Sequence, residues 1–394
     1  MQVSIVRTVF GVSVILVIMG CGGKSDLARK HHELGMSAAD SNDFPAAIKE
    51  FTEAIRLDPT LEVAYGNRGR AFAKSCQFDA AIRDLNEAIR LNPTNTVSLV
   101  NRGYSLAMNG DKQAALKDYD EAIRLDPKVA ESYVFRGNAR FETRAFDAAI
   151  KDYDQALKLA PNDMTAYVNR GNAYQIKGEF DPAISDYTEA LRLDPKNGTV
   201  FYNRGRAWQR QAIYLNAIND YTEAIRLNPK DSKAYDYRGE SWLRMGKADA
   251  AILDLNEAIR LGRQTESVYC NRADASALKG SFHAAVEDYS HAIAINPKYH
   301  LAFSSLSWLQ ATCPDSKLRD GQKAIANATT ACELSNWESW DYINTLAAAY
   351  AESGDWQNAI KYQEQGIEIA TFEPDKNIGR GRLELYKNQM PVRQ

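Results

Sequence analysis

The chain has 394 residues, a formal net charge of −3 and a sequence pI of about 6.1. Charged residues of both signs, 25% of the total, occur throughout it. This excludes the basic face or stripe that nucleic-acid binding requires, so we expect no nucleic-acid partner. A chain of this length usually predicts two or three globular domains, but strong internal repetition predicts one elongated array instead.

The first 20 residues differ in kind from the rest and predict a secretory signal. Arg7 is the only charged residue among them, and an apolar run of 12 residues follows from Thr8 to Met19. A run of this length is too short to span a bilayer but suits the core of a signal peptide. Residues 1–20 are therefore predicted to be a lipoprotein-type signal peptide.

The signal segment ends in Ile18-Met19-Gly20-Cys21, which resembles the lipobox of bacterial lipoproteins. The resemblance implies cleavage before Cys21, lipid on its thiol and amino group, and a lipidated tether over residues 21–27. Several acyl chains satisfy the requirement for stable membrane attachment. Gly22 after the cysteine implies the outer membrane of a Gram-negative envelope in preference to the inner membrane. A simple membrane anchor or a poorly cleaved signal is the alternative.

The rest of the chain repeats with a period of about 34 residues. Each period contains two apolar patterns at helical spacing, separated by a short polar turn such as residues 177–179. Prolines end the second pattern, with Arg263 in place of one of them: Pro59, Pro93, Pro127, Pro161, Pro195, Pro229 and Pro297. A position for a small residue recurs as well: Gly35, Gly69, Gly103, Gly137, Gly171, Gly205, Gly239 and Ala273. A large apolar residue follows at a fixed later position: Phe51, Leu85, Tyr119, Tyr153, Tyr187, Tyr221, Leu255 and Tyr289.

This order of aromatic, small and proline positions resembles the tetratricopeptide repeat. The resemblance implies an all-α fold, a right-handed superhelical solenoid of about ten helical hairpins with a C-terminal capping helix. Residues 28–299 match eight regular repeats, and residues 300–370 match two divergent ones. Residues 371–394 are the predicted capping segment, with a short helix over 382–388. A cap is expected because the last repeat has an apolar face without a neighbour.

An arginine on the first helix of seven repeats occurs together with an aspartate at a fixed position of the second helix, as Arg68 does with Asp84. Where leucine replaces the arginine, at Leu34, Leu306 and Leu346, the aspartate is absent too. This joint occurrence predicts ion pairs that tie the helices of one hairpin, or of adjacent hairpins, together. We therefore assign these residues a structural role in preference to a binding role.

An asparagine precedes this arginine in five repeats: Asn67, Asn101, Asn169, Asn203 and Asn271. These residues resemble the asparagine ladder of the O-linked N-acetylglucosamine transferase superhelix. The resemblance implies that they line a concave groove and hold an extended peptide by its backbone, because an amide offers both a donor and an acceptor. Phe135 and Tyr237 interrupt the ladder. The alternative is that the asparagines form hydrogen bonds within the scaffold.

A second peptide-binding pattern, the carboxylate clamp of chaperone-binding tetratricopeptide domains, is incomplete. Asn172, Asn203 and Lys233 occupy three of its five positions, but Val168 and Tyr237 occupy the other two. Asn172 therefore joins the ladder asparagines as a candidate peptide-binding residue.

The predicted groove has mixed character along its length, which favours an unstructured protein segment over a polyanion. It is apolar at Val97, Val100 and Tyr104, basic at Arg206 and Arg210, and acidic at Asp236, Glu240 and Asp274.

The sequence has no motif for catalysis or metal binding. His31-His32-Glu33 lacks the second histidine of a zinc-protease motif, and there is no glycine-rich phosphate loop or serine elbow. We therefore predict no enzyme activity, no cofactor, no metal site and no small-molecule substrate.

Four cysteines follow Cys21. Cys76 is predicted to lie in a turn and Cys270 on a first helix, while Cys313 and Cys332 lie on the two helices of the ninth hairpin. An exported protein permits a disulfide between the last two. Two separate buried cysteines are the alternative.

These features predict a membrane-tethered scaffold in a bacterial cell envelope that binds peptide segments of protein partners in its concave groove. One alternative is an assembly factor for pili or outer-membrane proteins. The other is a regulatory subunit of an enzyme on another chain.

Overall fold

The computed structural model describes residues 23–393, so the predicted signal peptide and Cys21 lie outside the described range. All regular structure in this range is α-helical, in ten hairpins followed by α21 (Glu373–Lys387). The first helices of the hairpins are α1 (residues 23–40), α3 (Glu62–Lys74), α5 (Thr96–Met108), α7 (Ala130–Glu142), α9 (Met164–Lys177), α11 (Gly198–Arg210), α13 (Ser232–Arg244), α15 (Glu266–Leu278), α17 (His300–Thr312) and α19 (Trp340–Glu352). The second helices are α2 (Phe44–Leu57), α4 (Phe78–Leu91), α6 (Lys112–Leu125), α8 (Phe146–Leu159), α10 (Phe180–Leu193), α12 (Tyr214–Leu227), α14 (Ala248–Arg260), α16 (Phe282–Ile295), α18 (Gly321–Leu334) and α20 (Trp356–Ile369).

The links between hairpins carry the signals that end one helix and begin the next. The helix α4 ends at Leu91, and Pro93 follows shortly after, where it cannot continue the hydrogen-bond ladder. Asn95 then caps α5, since its Oδ1 accepts a hydrogen bond from the Ser98 N–H at 3.1 Å. A cap of this kind satisfies a backbone donor that has no partner within the helix. Asp163 begins α9 in the same way.

Small residues bring the two helices of each hairpin into close contact. A Cβ atom built at Gly137 would lie 2.6 Å from Cε1 of Tyr153, a side chain that is 1% exposed. The periodic small residue and the large residue that follows it in the second helix are therefore packing partners. The other pairs of this kind with glycine are Gly35 with Phe51, Gly69 with Leu85, Gly103 with Tyr119, Gly171 with Tyr187, Gly205 with Tyr221 and Gly239 with Leu255.

The turn inside each of the first eight hairpins contains one residue with positive φ, always at the same position of the repeat. Glycine occupies this position in four hairpins, at Gly110, Gly178, Gly246 and Gly280. The other four hairpins have Asn42, Cys76, Arg144 and Ala212, with φ between 59° and 63°. Arg144 and Ala212 lack the short polar side chain that favours this conformation locally, so the turn holds them there at a cost.

The chain divides into two compact units, one ending at Leu193 and the other beginning at Asp194. Within each unit, the second helix of a hairpin packs against the first helix of the next, as α4 does against α5. Consecutive first helices also pack together, whereas no two second helices of the described chain do so to a similar extent. The first helices therefore line the inner face of each unit. This stacking confirms the all-α fold of consecutive hairpins.

The two ends differ from the sequence-based expectation. Residues 23–27, assigned to the tether, are helical, because no proline or glycine interrupts residues 24–34. The final helix begins at Glu373 rather than at residue 382, with Pro374 in its first turn, where proline interrupts no helical hydrogen bond. Its Tyr386 is 0% exposed and packs against α19 and α20. The helix thus covers the last repeat as predicted.

Candidate functional site

Seven hairpins carry a bidentate ion pair between their two helices. In α5, Nε and Nη2 of Arg102 donate to the carboxylate of Asp118 at 2.8 and 2.6 Å. Nη1 of the same arginine donates to Oδ1 of Asn86, on the preceding hairpin, at 2.9 Å. The predicted ion pair is confirmed, and its arginine also links adjacent hairpins. The other pairs are Arg68–Asp84, Arg136–Asp152, Arg170–Asp186, Arg204–Asp220, Arg238–Asp254 and Arg272–Asp288.

Two of the three hairpins without this ion pair have another polar contact at the same position. Glu50 in the first hairpin accepts a hydrogen bond from Nδ1 of His31 at 2.6 Å. Asn327 in the ninth hairpin donates to Oε1 of Gln310 at 2.9 Å. Contact between the helices is thus retained where the charges change.

Two of the predicted ladder asparagines form hydrogen bonds within the scaffold. Nδ2 of Asn67 donates to Nε2 of His32 at 2.9 Å, and Nδ2 of Asn169 donates to Oδ1 of Asn138 at 2.9 Å. Burial lowers the pKa of His32 more than neighbouring Glu33 raises it, which keeps the ring neutral and able to accept. At these two positions, one N–H group of the amide forms a hydrogen bond to the neighbouring first helix.

Other asparagines are placed differently. The side chains of Asn101 and Asn271 have no hydrogen-bond partner among residues 23–393. Oδ1 of Asn172 accepts a hydrogen bond from the hydroxyl of Tyr187, in its own hairpin, at 2.7 Å. Asn101 and Asn271 therefore retain the full hydrogen-bonding capacity of the amide.

Asn101 lies in a groove of about 300 Å³ that crosses α3, α5 and α7. We call it the α5 groove. Val97, Val100 and Tyr104 of α5 and Phe135 of α7 give it an apolar lining. Val97 is 62% exposed, so together with its neighbours it presents apolar surface in the groove. The apolar character predicted for this stretch of the first helices is therefore confirmed.

Two basic residues of α3 form one side of the α5 groove. Arg70 and Lys74 lie one helical turn apart, are exposed, and also border a second groove of about 240 Å³ that contains Asn67. Neither has an acidic side chain within 4.0 Å in the described part of the chain. Glu131 lies among the residues of α7 that line the same groove.

The two aromatic residues that interrupt the ladder make equivalent contacts. Phe135 stacks on Tyr119 with ring centroids 6.0 Å apart and planes at 16°. Tyr237 stacks on Tyr221 with centroids 6.1 Å apart and planes at 24°. In both cases the partner is the large residue of the preceding second helix. The sequence identified these residues only as breaks, whereas each forms an aromatic surface.

The second unit has aromatic and basic residues around Tyr237. The guanidinium of Arg206 lies 5.5 Å from the centroid of Tyr237, and the ring of Tyr202 lies 5.8 Å from it. Tyr202 also borders an open depression of about 420 Å³ that includes Asn203 and Lys233. The basic character predicted at Arg206 is present on this face.

The acidic character predicted for the groove is wrong at Asp236 and reduced at Asp274. Asp236 is 4% exposed and accepts a hydrogen bond from Nε of Arg263 at 2.5 Å. Asp274 accepts a hydrogen bond from the hydroxyl of Tyr289 at 2.6 Å. Burial raises the pKa of both carboxyl groups, against the opposing effect of these partners. Arg263, noted in the sequence only for the absence of proline, thus neutralises Asp236.

Cys313 and Cys332 are free cysteines, and both are 0% exposed. Cys313 packs in an apolar cluster with Cys270 and Leu309, whereas Cys332 packs in another with Ile343. Because the two thiols lie in different clusters, the structure has no disulfide between them. It contains the alternative arrangement, two separate buried cysteines.

Residues 23–393 contain no group of three side chains suited to hold a metal ion. In that range, no helix has the length and apolar character needed to cross a bilayer. His31 bonds Glu50, and Nδ1 of His300 lies 2.7 Å from the hydroxyl of Tyr342, so both histidines contribute to contacts between helices.

Five family models match the chain, and together they cover more than half of it. Four are described as tetratricopeptide repeat and match residues 63–95 and 165–197, 97–129, 202–266, and 266–299. The fifth, described as TPR repeat, matches residues 137–178. No curated protein matches the chain significantly in sequence.

Several solved structures are similar to parts of the chain. YrrB, described as a TPR protein with an unusual peptide-binding site, is 26% identical, covers 48% of this chain and 96% of its own, and has a TM-score of 0.44. A tetratricopeptide repeat protein from Parabacteroides merdae ATCC 43184 is 20% identical, covers 61% and 95%, and has a TM-score of 0.46. PilF from Pseudomonas aeruginosa is 15% identical, covers 52% of this chain and 94% of its own, and has a TM-score of 0.48. Because these TM-scores are low, the assignment to a family rests on the sequence models.

Proposed function

Because the chain belongs to the tetratricopeptide repeat family, we propose that it binds extended segments of protein partners along the first helices of its hairpins. Membership of this family makes it a protein-interaction scaffold. The observation that carries the finer proposal is Asn101, whose side chain lines the α5 groove without a hydrogen-bond partner among residues 23–393. An open amide on a concave face matches the donor and acceptor of a peptide unit.

The binding amides act as separate contacts in this proposal. Asn101 offers its whole side chain, whereas Asn169 has already committed one N–H to Asn138. Phe135 stands between them in the repeat series and presents a ring instead of an amide. A bound segment therefore forms backbone hydrogen bonds at some repeats and apolar contacts at others.

The test begins with peptides selected from a random library on the purified chain. Their dissociation constants are then measured by fluorescence anisotropy. Asn101→Ala should raise the dissociation constants of unrelated peptides to a similar extent, by roughly two- to tenfold, since a hydrogen bond typically contributes about 0.5–1.5 kcal/mol. Its thermal stability should not change. Asn169→Ala is the matched control and should lower stability slightly, because it removes one of the two hydrogen bonds that Oδ1 of Asn138 accepts, while the hydroxyl of Tyr153 still donates the other at 2.8 Å. Unchanged binding in Asn101→Ala, or no peptide bound by the chain, would contradict the proposal.

We also propose that lipid on Cys21 tethers the scaffold to a membrane of a bacterial envelope, the outer membrane in preference to the inner. The support is the sequence Ile18-Met19-Gly20-Cys21 after a short apolar run. Only Gly22 separates Cys21 from the first described residue of α1. The first hairpin would thus lie next to the membrane surface.

The tether is tested with Cys21→Ser in the cell. The variant should accumulate as an unprocessed precursor of higher mass and should not incorporate labelled palmitate. Normal processing and palmitate labelling of this variant would refute lipidation at Cys21.

Crosslinking of the mature chain in its membrane then identifies the partner class. Capture of several exported proteins through unstructured segments supports the scaffold. Recovery of pilus or outer-membrane components would identify an assembly factor. Recovery of a single enzyme in a constant molar ratio to the chain would instead identify the chain as a regulatory subunit of that enzyme.

A further inference from the structure

We infer that the α5 groove selects segments in which a large apolar side chain lies close to an acidic one. This inference rests on the proposed function and specifies the partner chemistry of the same groove. It is carried by the apolar lining from α5 and α7, by the unpaired cations of α3 and by a buried hydroxyl on α7.

The apolar part of the groove is suited to one large side chain. Val97 is 62% exposed, although the neighbouring Val100 is only 6% exposed. Tyr104 and Phe135 meet edge to face, with ring centroids 5.8 Å apart and planes at 66°. An apolar side chain placed among these residues would remove exposed carbon surface from water, which is the main favourable contribution to most protein association.

The cations beside this lining specify the charge of the segment. Arg70 and Lys74 are exposed on the same face of α3 and form no ion pair with a residue of the described chain. Most other arginines that line first helices are paired with an aspartate of their own hairpin, as Arg68 is with Asp84. The unpaired cations therefore complement a carboxylate on the partner, and Glu131 disfavours acidic residues at the α7 side.

A buried hydroxyl without a hydrogen-bond partner in the described chain is an independent indication that the groove binds a further group. Ser132 of α7 lines the groove and is 0% exposed, but its Oγ has no hydrogen-bond partner among residues 23–393. Buried polar atoms without a partner are rare in folded proteins, and they carry a cost that a bound group can remove. Ser132 lies beside Glu131, at the opposite side from Arg70 and Lys74.

The experiment uses the full chain and fluorescein-labelled dodecapeptides of four compositions, each with a glycine-serine background. One carries Glu-Glu and Leu-Phe, and the others replace Glu-Glu by Lys-Lys, Leu-Phe by Ala-Ala, or both. Each is made in both orders along the peptide. The acidic-apolar peptide should bind at least roughly tenfold more tightly than the other three, equivalent to about 1.4 kcal/mol. The preference over Lys-Lys should fall with added salt.

The double variant Arg70→Glu and Lys74→Glu should reverse the charge preference, so that the Lys-Lys, Leu-Phe peptide binds best. Phe135→Ala should reduce the preference for Leu-Phe while keeping that for acidic residues. Arg206→Glu with Arg210→Glu is the matched control, since it changes the same two repeat positions in the second unit. It should leave the preference intact.

The outcomes separate this inference from the proposed function. Library-selected peptides could bind, and bind more weakly to Asn101→Ala, without any preference for acidic and apolar residues. In that case the inference is wrong and the proposed peptide binding stands. If the control reverses the preference and the Arg70 and Lys74 variant does not, the site is not the α5 groove. If no peptide of any composition binds, both the inference and the proposed function are refuted.

Discussion

The carboxylate of Asp118 is nearly enclosed against the guanidinium of Arg102, with side-chain exposures of 8% and 24%. The two hydrogen bonds between them join α6 to α5, while the third contact of the arginine reaches Asn86 on α4. One arginine thus holds three helices in a fixed arrangement. The same contact recurs along the chain and positions the first helices that form the groove.

Asp118→Ala should lower the free energy of unfolding by about 3 kcal/mol, because Arg102 then stays partly buried without its counter-ion. Replacement of both Arg102 and Asp118 by leucine should recover most of this loss. Hydrogen exchange of the amides of α5 and α6 measures the effect locally, which suits a repeat array that does not unfold in one step.

Two comparisons make this prediction specific. Asp186→Ala should cost less, because Arg170 keeps a second carboxylate, that of Asp154, at 2.6 Å. Glu121→Ala removes an exposed pair with Arg124 and should leave exchange unchanged. If Asp118→Ala exchanges like the wild type, the pair contributes nothing measurable to the fold.

Ala212→Gly should stabilise the sixth hairpin by about 1 kcal/mol, because φ at this position is 59° and the left-handed conformation disfavours a Cβ atom. Arg144→Gly, at φ 63°, should act in the same direction. Thermal unfolding followed by circular dichroism tests both. Ala207→Gly inside α11 is the control and should destabilise, because glycine is unfavourable within a helix and a buried methyl group is lost. A lower melting temperature for Ala212→Gly would show that the turn is not strained.

Gly137→Ala should destabilise the fourth hairpin by roughly 1–3 kcal/mol, since overpacking forces neighbouring groups to move. The added methyl would lie 2.6 Å from the ring of Tyr153. Ala273 occupies the equivalent position in the eighth hairpin, so the lower end of this range is expected. Gly381→Ala in α21, where a Cβ would meet no atom within 4 Å, should instead stabilise the helix. Chemical denaturation measures the free energy of unfolding of both variants. A change of the same sign in the two would contradict this account.

Thiol labelling should distinguish one cysteine from three others. In the native chain, Cys76 is exposed and should react rapidly, whereas Cys270, Cys313 and Cys332 are buried. Burial raises the pKa of Cys332 to about 12 and also raises that of Cys270, which suppresses the reactive thiolate near neutral pH.

Mass spectrometry after brief alkylation should therefore show one label, and Cys76→Ser should abolish it. After denaturation without reductant, all four thiols of the lipid-free part should react. Only two labels after denaturation would indicate that Cys313 and Cys332 are joined in solution.

Much of the scaffold was predictable because its contacts repeat with the chain. Gly137 and Tyr153 lie in the two helices of one hairpin, and so do Arg102 and Asp118. Because the same pair of residue types recurs in other repeats, their contact could be inferred from one sequence. The proline positions marked the ends of the second helices for a local reason, the missing N–H. The contact of Arg263 was not predictable in this way. Arg263 lies in the link after α14, its partner Asp236 lies in α13, and an arginine replaces the proline of this link only once in the repeat series.

The sequence by itself determined the hairpin, its small residues and its ion pairs, since each follows from local helix chemistry or from a pairing seen in many repeats. Only the tertiary structure decided which asparagines are available. Asn67 and Asn101 occupy the same repeat position, yet the first meets His32 of the preceding hairpin and the second faces an open groove. The difference depends on side chains from neighbouring hairpins, which vary from repeat to repeat while the backbone does not.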